Sequence, residues 1–195
     1  MCSSDLRYPH FTMADNVRVQ QRLLQEVFGI ERVCLVYGFS MGAQQAFHWG
    51  ALFPDRVERI APICGSAKTS PHNFVFLEGV KAALTADPAW QDGWFETPPT
   101  RGFQAMGRVY AGWGLSQAFY REETWRKIGF ASLEDFLVGG WEAGFRRRHA
   151  NDLLAMLCGH DSAVSSTVLI RRLSVMACGT KPRIAYVHSG YLSRW

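Results

Sequence analysis

Val33-Cys34-Leu35-Val36-Tyr37-Gly38-Phe39-Ser40-Met41-Gly42-Ala43-Gln44-Gln45-Ala46 is the stretch whose reading decides the fold. Its first five residues are apolar or aromatic and rich in valine, too short a run for a helix. They predict a strand buried on both faces, as in a parallel sheet. A helix is predicted to follow at once, because Met41, Ala46, Phe47, Trp49, Ala51 and Leu52 run to Pro54 without an internal breaker. Gly38-Phe39-Ser40-Met41-Gly42 therefore falls on a tight strand-to-helix turn, the setting in which G-x-S-x-G holds a nucleophile. In that setting Ser40 is the candidate nucleophile, with its Oγ projecting above the sheet. Met41 is the candidate backbone N–H donor to an oxyanion at the start of the helix. The glycines two before and two after the serine are expected to be small because strand and helix pass close together.

Working outward, Thr12-Met13-Ala14-Asp15 has the form of a capping box with Asp in place of Glu, so a helix is predicted to start there. Met13, Val17, Leu24, Val27 and Phe28 recur at helical spacing, and Gly29 supplies the stop. Beyond the serine turn, Pro54-Asp55-Arg56 is a turn and Val57 to Cys64 a second strand. A ligand site would lie beyond the carboxyl ends of these strands, where Ser40 is placed.

From Ser66 the texture changes. A loop with Ser70-Pro71 precedes a predicted helix from Phe74 to Leu84, and Asp87-Pro88, Gly93 and Pro98-Pro99 then break the chain into short pieces. Five of the seven tryptophans lie between Trp90 and Trp141, which predicts a helical cap whose aromatics are chiefly core. Ala150 to Leu157 is the last well-patterned helix. Past Cys158 no organisation is legible, although Val168-Leu169-Ile170 and Ile184-Ala185-Tyr186-Val187 have strand composition.

Length and composition bound the rest. The chain has 195 residues, 48% of them hydrophobic, enough for one domain with a real core. No apolar run is long enough to span a membrane and no signal-peptide pattern opens the chain, so a cytoplasmic location is expected, without membrane partners. The net charge of +4 is mild. Arg146-Arg147-Arg148 and Arg171-Arg172 lack interleaved aromatics, so they read as solvated helix faces rather than a nucleic-acid site. The five cysteines are odd in number and lack C-x-x-C spacing. Neither disulfides nor zinc are expected, Cys34 and Cys64 are read as buried apolar filler, and no cofactor is implied.

A set of residues now carries a family likeness. Pro9, Thr12, Asp15, Val17, Gln20, Leu23-Leu24, Gly29-Ile30, the Gly38 to Gly42 turn, Gln44, Trp49, Pro54, Val57, Ser66-Ala67, Ser70-Pro71, Asp87-Pro88-Ala89-Trp90 and Gly93 together resemble homoserine O-acetyltransferase and its relatives. The likeness covers residues 7 to 157. It implies part of an α/β-hydrolase fold, with a short parallel sheet, a nucleophile elbow and a helical cap. It also implies acyl transfer through a serine acyl-enzyme, with triad order Ser, Asp, His. The implied partners are a small-molecule acyl donor, such as acyl-CoA, and a small alcohol or amino-acid acceptor. An esterase that passes the acyl group to water is the alternative, and a homodimer is compatible with the family.

Departures narrow this. Phe39 and Ala43 stand where the family elbow usually has glycines. Gly114-Leu115-Ser116 lacks the arginine that binds the acceptor's carboxylate in the family, and Arg108 reads as a surface or structural cation instead. The strands and second oxyanion loop that precede the Asp15 helix in complete members have no counterpart here, and loss of one oxyanion donor costs on the order of 100 to 1000 fold. Gly159-His160-Asp161 is similar to the family's Gly-His-Asp but follows the cap directly, with no room for an acid-bearing strand. Asp161 followed by His188 has the triad order without the family context. Ser40 is the one triad position carried across, and His10, His48, His72 and His149 are read as local structure.

The expected organisation is thus a non-native tail at 1–6, similar to a translated cloning adapter, then core at 7–71, cap at 72–157 and an unassigned tail at 158–195 read out of frame. Such a chain is an internal piece of an enzyme. It is expected to turn over little by itself, because triad members act as a unit.

Overall fold

The computed structural model describes residues 11–161 and 183–184, with side chains described through Cys158. Among these residues, helices α1 (Met13–Glu26), α2 (Met41–Leu52), α3 (Pro71–Thr85) and α4 (Thr100–Gly114) are the long ones before residue 115. Strands β1 (Val36–Phe39) and β2 (Arg59–Ile63) flank α2, and a short hairpin, β3 (Trp90–Gln91) and β4 (Trp94–Phe95), separates α3 from α4. Shorter pieces follow: α5 (Gln117–Arg121), α6 (Thr124–Lys127), α7 (Leu133–Asp135), a π-helix over Phe136–Glu142, and α8 (Ala143–Arg146). Then come α9 (Ala150–Asp161) and β5 (Arg183–Ile184). The described residues form two compact units, one of 11–69 with 159–161 and 183–184, the other of Ser70–Cys158.

In the first unit the sheet is parallel, in the order β1-β2-β5, with Phe39 opposite Ile63 and Ile60 opposite Ile184. Both β1 and β2 end at the same level, which puts Ser40 just past the carboxyl edge. Helix α1 begins as its sequence dictates. Thr12 Oγ1 accepts from Asp15 N–H at 3.1 Å, and Asp15 Oδ2 takes both the Thr12 N–H at 3.1 Å and its hydroxyl at 2.6 Å. Those bonds from Thr12 hold the Asp15 carboxyl below its usual range. Gly29, at φ +65°, ends the turn after α1.

Helix α2 packs on β1 and β2, and α1 packs on α2. Phe47, Val57 and Ile60 form the buried cluster, with Val36 and Ala67 against it. Gln20 of α1 stitches the two helices together, donating to Gln45 Oε1 at 2.7 Å and accepting from Trp49 Nε1 at 2.9 Å.

Three expectations need correction here. Strand β1 is covered on one face only. Leu35, Tyr37 and Phe39 alternate with their covered neighbours and are 49%, 71% and 67% exposed, so the apolar run does not mark burial on both faces. Val27 and Phe28, read as part of the helix, lie past its end at Glu26 and are exposed as well. Cys34 is exposed and Cys64 half-buried, both free thiols, while Cys158 is disulfide-bonded, against the expectation of no disulfide. An odd cysteine count thus concealed one pair.

The second unit is helical. Its buried core joins Leu77, Val80 and Leu84 of α3 to Phe103 and Met106 of α4 and to Leu153, Leu154 and Leu157 of α9. Gly102 lets α4 approach α3, since a Cβ there would sit 2.6 Å from the Leu84 carbonyl oxygen. The aromatics pack on one another: Phe76 stacks on Trp113 at 4.8 Å between centroids, and Tyr110 meets the edge of Phe76 at 5.2 Å and Phe145 at 5.5 Å. Asn151 bonds to both backbone groups of Phe95 and fixes the hairpin to α9. No described helix is long and apolar enough to cross a membrane.

Candidate active site

The site is built where β1 runs into α2. Ser40 sits between them at φ +54°, ψ −114°, a conformation that side-chain-bearing residues rarely adopt. Three contacts impose it. A Cβ on Gly38 would lie 2.1 Å from the Gly42 carbonyl oxygen, so the strand can enter the helix this closely only with glycine there. Ser40 N–H donates to the Ile63 carbonyl at 2.9 Å, extending the β1–β2 ladder one residue past the strand. The Ser40 carbonyl accepts from Ala43 N–H at 2.9 Å and Gln44 N–H at 3.4 Å, which starts α2. Gly42 behaves differently from the expectation, because a Cβ there would meet nothing within 4 Å. The close approach is borne by Gly38 against the backbone of Gly42.

This geometry has a chemical consequence. A serine before a helix ordinarily turns its hydroxyl onto the first-turn N–H groups, but Ser40 makes no such bond and is exposed. The Met41 N–H opens the helix, where no intrahelical acceptor exists and the helix dipole is positive. A hydroxyl and an N–H donor at one helix N-terminus can serve as a nucleophile and one oxyanion contact.

The other predicted residues fall as follows. His48 lies eight residues along α2 from Ser40, about 12 Å of helix rise, beyond reach of its hydroxyl. Its Nδ1 is 2.8 Å from the Gln44 carbonyl, and burial holds its pKa below the ordinary histidine value. His72 packs edge-on against Trp113, and His149 lies on the surface 4.0 Å from Asp152. Gly159, His160 and Asp161 form the final turn of α9, but their side chains, with His10 and His188, lie outside the described residues. Among the described residues no group of histidine, cysteine, aspartate and glutamate is fit to hold a metal ion. Arg108 is held by acids of its own unit: its Nε donates to buried Glu142 at 2.8 Å and its other nitrogens to Glu134.

Sequence reasoning missed Gly65 and Cys64, which follow β2. A Cβ on Gly65 would lie 2.5 Å from Ala43 Cβ and 2.7 Å from the Ser40 carbonyl oxygen, and Cys64 sits at φ +51°. A glycine directly after a predicted buried strand was the available signal.

A family model described as the alpha/beta hydrolase fold matches residues 2–120, more than half of the chain. The chain belongs to the α/β-hydrolase family. Among its relatives, an ethyl acetate hydrolase of Pseudomonas veronii is 36% identical over 151 residues, covering 76% of this chain and 43% of that protein. A homoserine O-acetyltransferase of Chlorobaculum tepidum is 33% identical over 151 residues, covering 75% of this chain and 40% of its own length. The crystal structure of the acetyl esterase MekB superposes with a TM-score of 0.82 at 32% identity, over 90% of this α/β-hydrolase chain and 52% of that one. The chain thus spans less than half the length of these curated relatives. Both the fold and the family implied by the sequence resemblance are shown, and the relatives include esterases and acetyltransferases alike.

Proposed function

We propose that Ser40 is the nucleophile of an acyl-transferring α/β-hydrolase that takes a short acyl group, such as acetyl, from an ester. The observation that carries this reading is the Ser40 backbone at φ +54°, with no cap bond from its hydroxyl to the helix it precedes. Ser40 Oγ attacks the ester carbonyl carbon while a general base takes its proton. The developing oxyanion accepts a bond from Met41 N–H, a contact of a kind worth roughly 3 kcal/mol in the transition state. The C–O bond breaks, the alcohol leaves with the proton, and the acyl group remains on Ser40. A second nucleophile then attacks the acyl-enzyme and restores the serine hydroxyl.

Water is the acceptor favoured first. The ethyl acetate hydrolase is 36% identical to this chain, and Arg108 is already engaged by Glu134 and Glu142 rather than free for an acceptor's carboxylate. Transfer to a hydroxyl acceptor is the second reading, favoured by the acetyltransferase similarity over the same length of chain.

The test uses stoichiometric protein, so that slow deacylation still registers. The chain is incubated with p-nitrophenyl acetate, with and without L-homoserine, alongside Ser40→Ala. Acetylated Ser40 followed by free acetate supports hydrolysis, and O-acetylhomoserine in excess of acetate assigns transfer. Acetylation unchanged by Ser40→Ala overturns both.

A further inference from the structure

The strand end that faces the elbow, Ile63-Cys64-Gly65, has no role in the reading above, yet it touches the Ser40 peptide on both sides. The Ile63 carbonyl accepts the Ser40 N–H at 2.9 Å. Two residues later the chain passes so near the Ser40 carbonyl that a Cβ on Gly65 would stand 2.7 Å from that oxygen and 2.5 Å from Ala43 Cβ. Neither neighbour can step aside as a flexible side chain could, because one is backbone and the other a methyl fixed directly to helix α2. Ala43 is fully buried, so its methyl has no other space to enter. Between these contacts Cys64 turns through φ +51°, which brings Gly65 across the head of β1 instead of letting β2 run straight on. Gly38 closes the elbow from within, and Gly65 closes it from the neighbouring strand.

We propose that Gly65 is a positioning residue for Ser40: the absence of a side chain there lets the β2 end clamp the Ser40 peptide in its left-handed conformation. This rests on Ser40 being the nucleophile. Any side chain at residue 65 pushes the Ser40 carbonyl away, rotates the peptide, and swings the hydroxyl off its line of attack. Displacement of a reacting group by about 1 Å costs on the order of 100-fold in rate.

The experiment measures the rate at which a fluorophosphonate labels Ser40 in four chains: the parent, Gly65→Ala, Ala43→Gly and the Ala43→Gly/Gly65→Ala double variant. Gly29→Ala is the control, since it strains a left-handed glycine at φ +65° where a Cβ meets nothing within 4 Å. Circular dichroism checks that each is folded. Labelling should fall on the order of 100-fold in Gly65→Ala and hold in Gly29→Ala. The double variant removes the methyl clash and keeps the carbonyl clash, so it should label far more slowly than Ala43→Gly alone. Parent-like labelling of folded Gly65→Ala, or equal labelling of the double variant and Ala43→Gly, overturns the proposal. So does failure of the double variant to fold, which makes Gly65 a folding residue. If the parent itself does not label, the nucleophile reading fails, and NMR couplings that report the sign of φ at Ser40 decide positioning separately. Retention of positive φ in Gly65→Ala then overturns it, and loss of positive φ supports it.

Discussion

Asn151 and Phe95 are joined by two hydrogen bonds of 3.0 Å, the Asn151 amide oxygen accepting from the Phe95 N–H and its NH2 donating to the Phe95 carbonyl. Asn151 is 1% exposed, so neither backbone group has water to fall back on. Replacing it by alanine strands both, at a cost of about 3 kcal/mol for the pair. Urea unfolding of Asn151→Ala, followed through the tryptophans of the helical unit, should show a loss of that size. A loss under about 1 kcal/mol would mean that the hairpin finds other partners.

Cys64 offers the opposite sign. A side-chain-bearing residue at φ +51° costs about 1–2 kcal/mol, and glycine removes that while adding about 0.5–1 kcal/mol of chain entropy to be lost on folding. Cys64→Gly should therefore raise the unfolding free energy by about 0.5–1 kcal/mol. A lower denaturation midpoint would show that the half-buried thiol contributes more than the strain removes.

His48 makes stability depend on pH. Its Nδ1 donates to the Gln44 carbonyl, which leaves Nε2 a buried lone pair without a partner. Burial, the largest cause, lowers its pKa; the bond to Gln44 opposes this, and the charge of Arg18 reinforces it. The folded ring therefore stays neutral at a pH where the unfolded chain, with pKa about 6.5, takes up a proton. Stability is greatest above about pH 6.5 and falls as pH drops toward the folded pKa, by up to about 1.4 kcal/mol per unit within that window. Melting temperatures between pH 8 and 5 should fall more steeply in the parent than in His48→Asn. Parallel curves would contradict this.

Much of the fold was legible because local chemistry fixed it. The Thr12 and Asp15 capping box, the Gly29 stop, and the strand, serine turn and helix sequence each depend on residues a few positions apart. Ser70-Pro71, read as loop before a helix from Phe74, instead starts α3 at Pro71, where the Ser70 hydroxyl accepts from the Asn73 N–H. What escaped depends on packing between distant segments. Gly65 matters only because β2 runs beside Ser40, and Asn151 reaches Phe95 across 56 residues. Leu35, Tyr37 and Phe39 show the limit of hydrophobic pattern, which reports that residues are apolar and not that anything covers them. At the site, G-x-S-x-G placed Ser40 on the strand-to-helix turn and rightly required a small residue at Gly38, but it extended that requirement to Gly42, where a Cβ meets nothing within 4 Å.

The measurement that most directly tests the account is a peptide mass map of the folded chain after reaction with a fluorophosphonate, beside Ser40→Ala. A serine held at φ +54° with an uncapped hydroxyl at the head of α2 should carry the adduct, and Ser40→Ala should abolish it while keeping the same circular dichroism. An unmodified Ser40 in the folded parent, or an adduct that survives in Ser40→Ala, would contradict the assignment of Ser40 as the nucleophile.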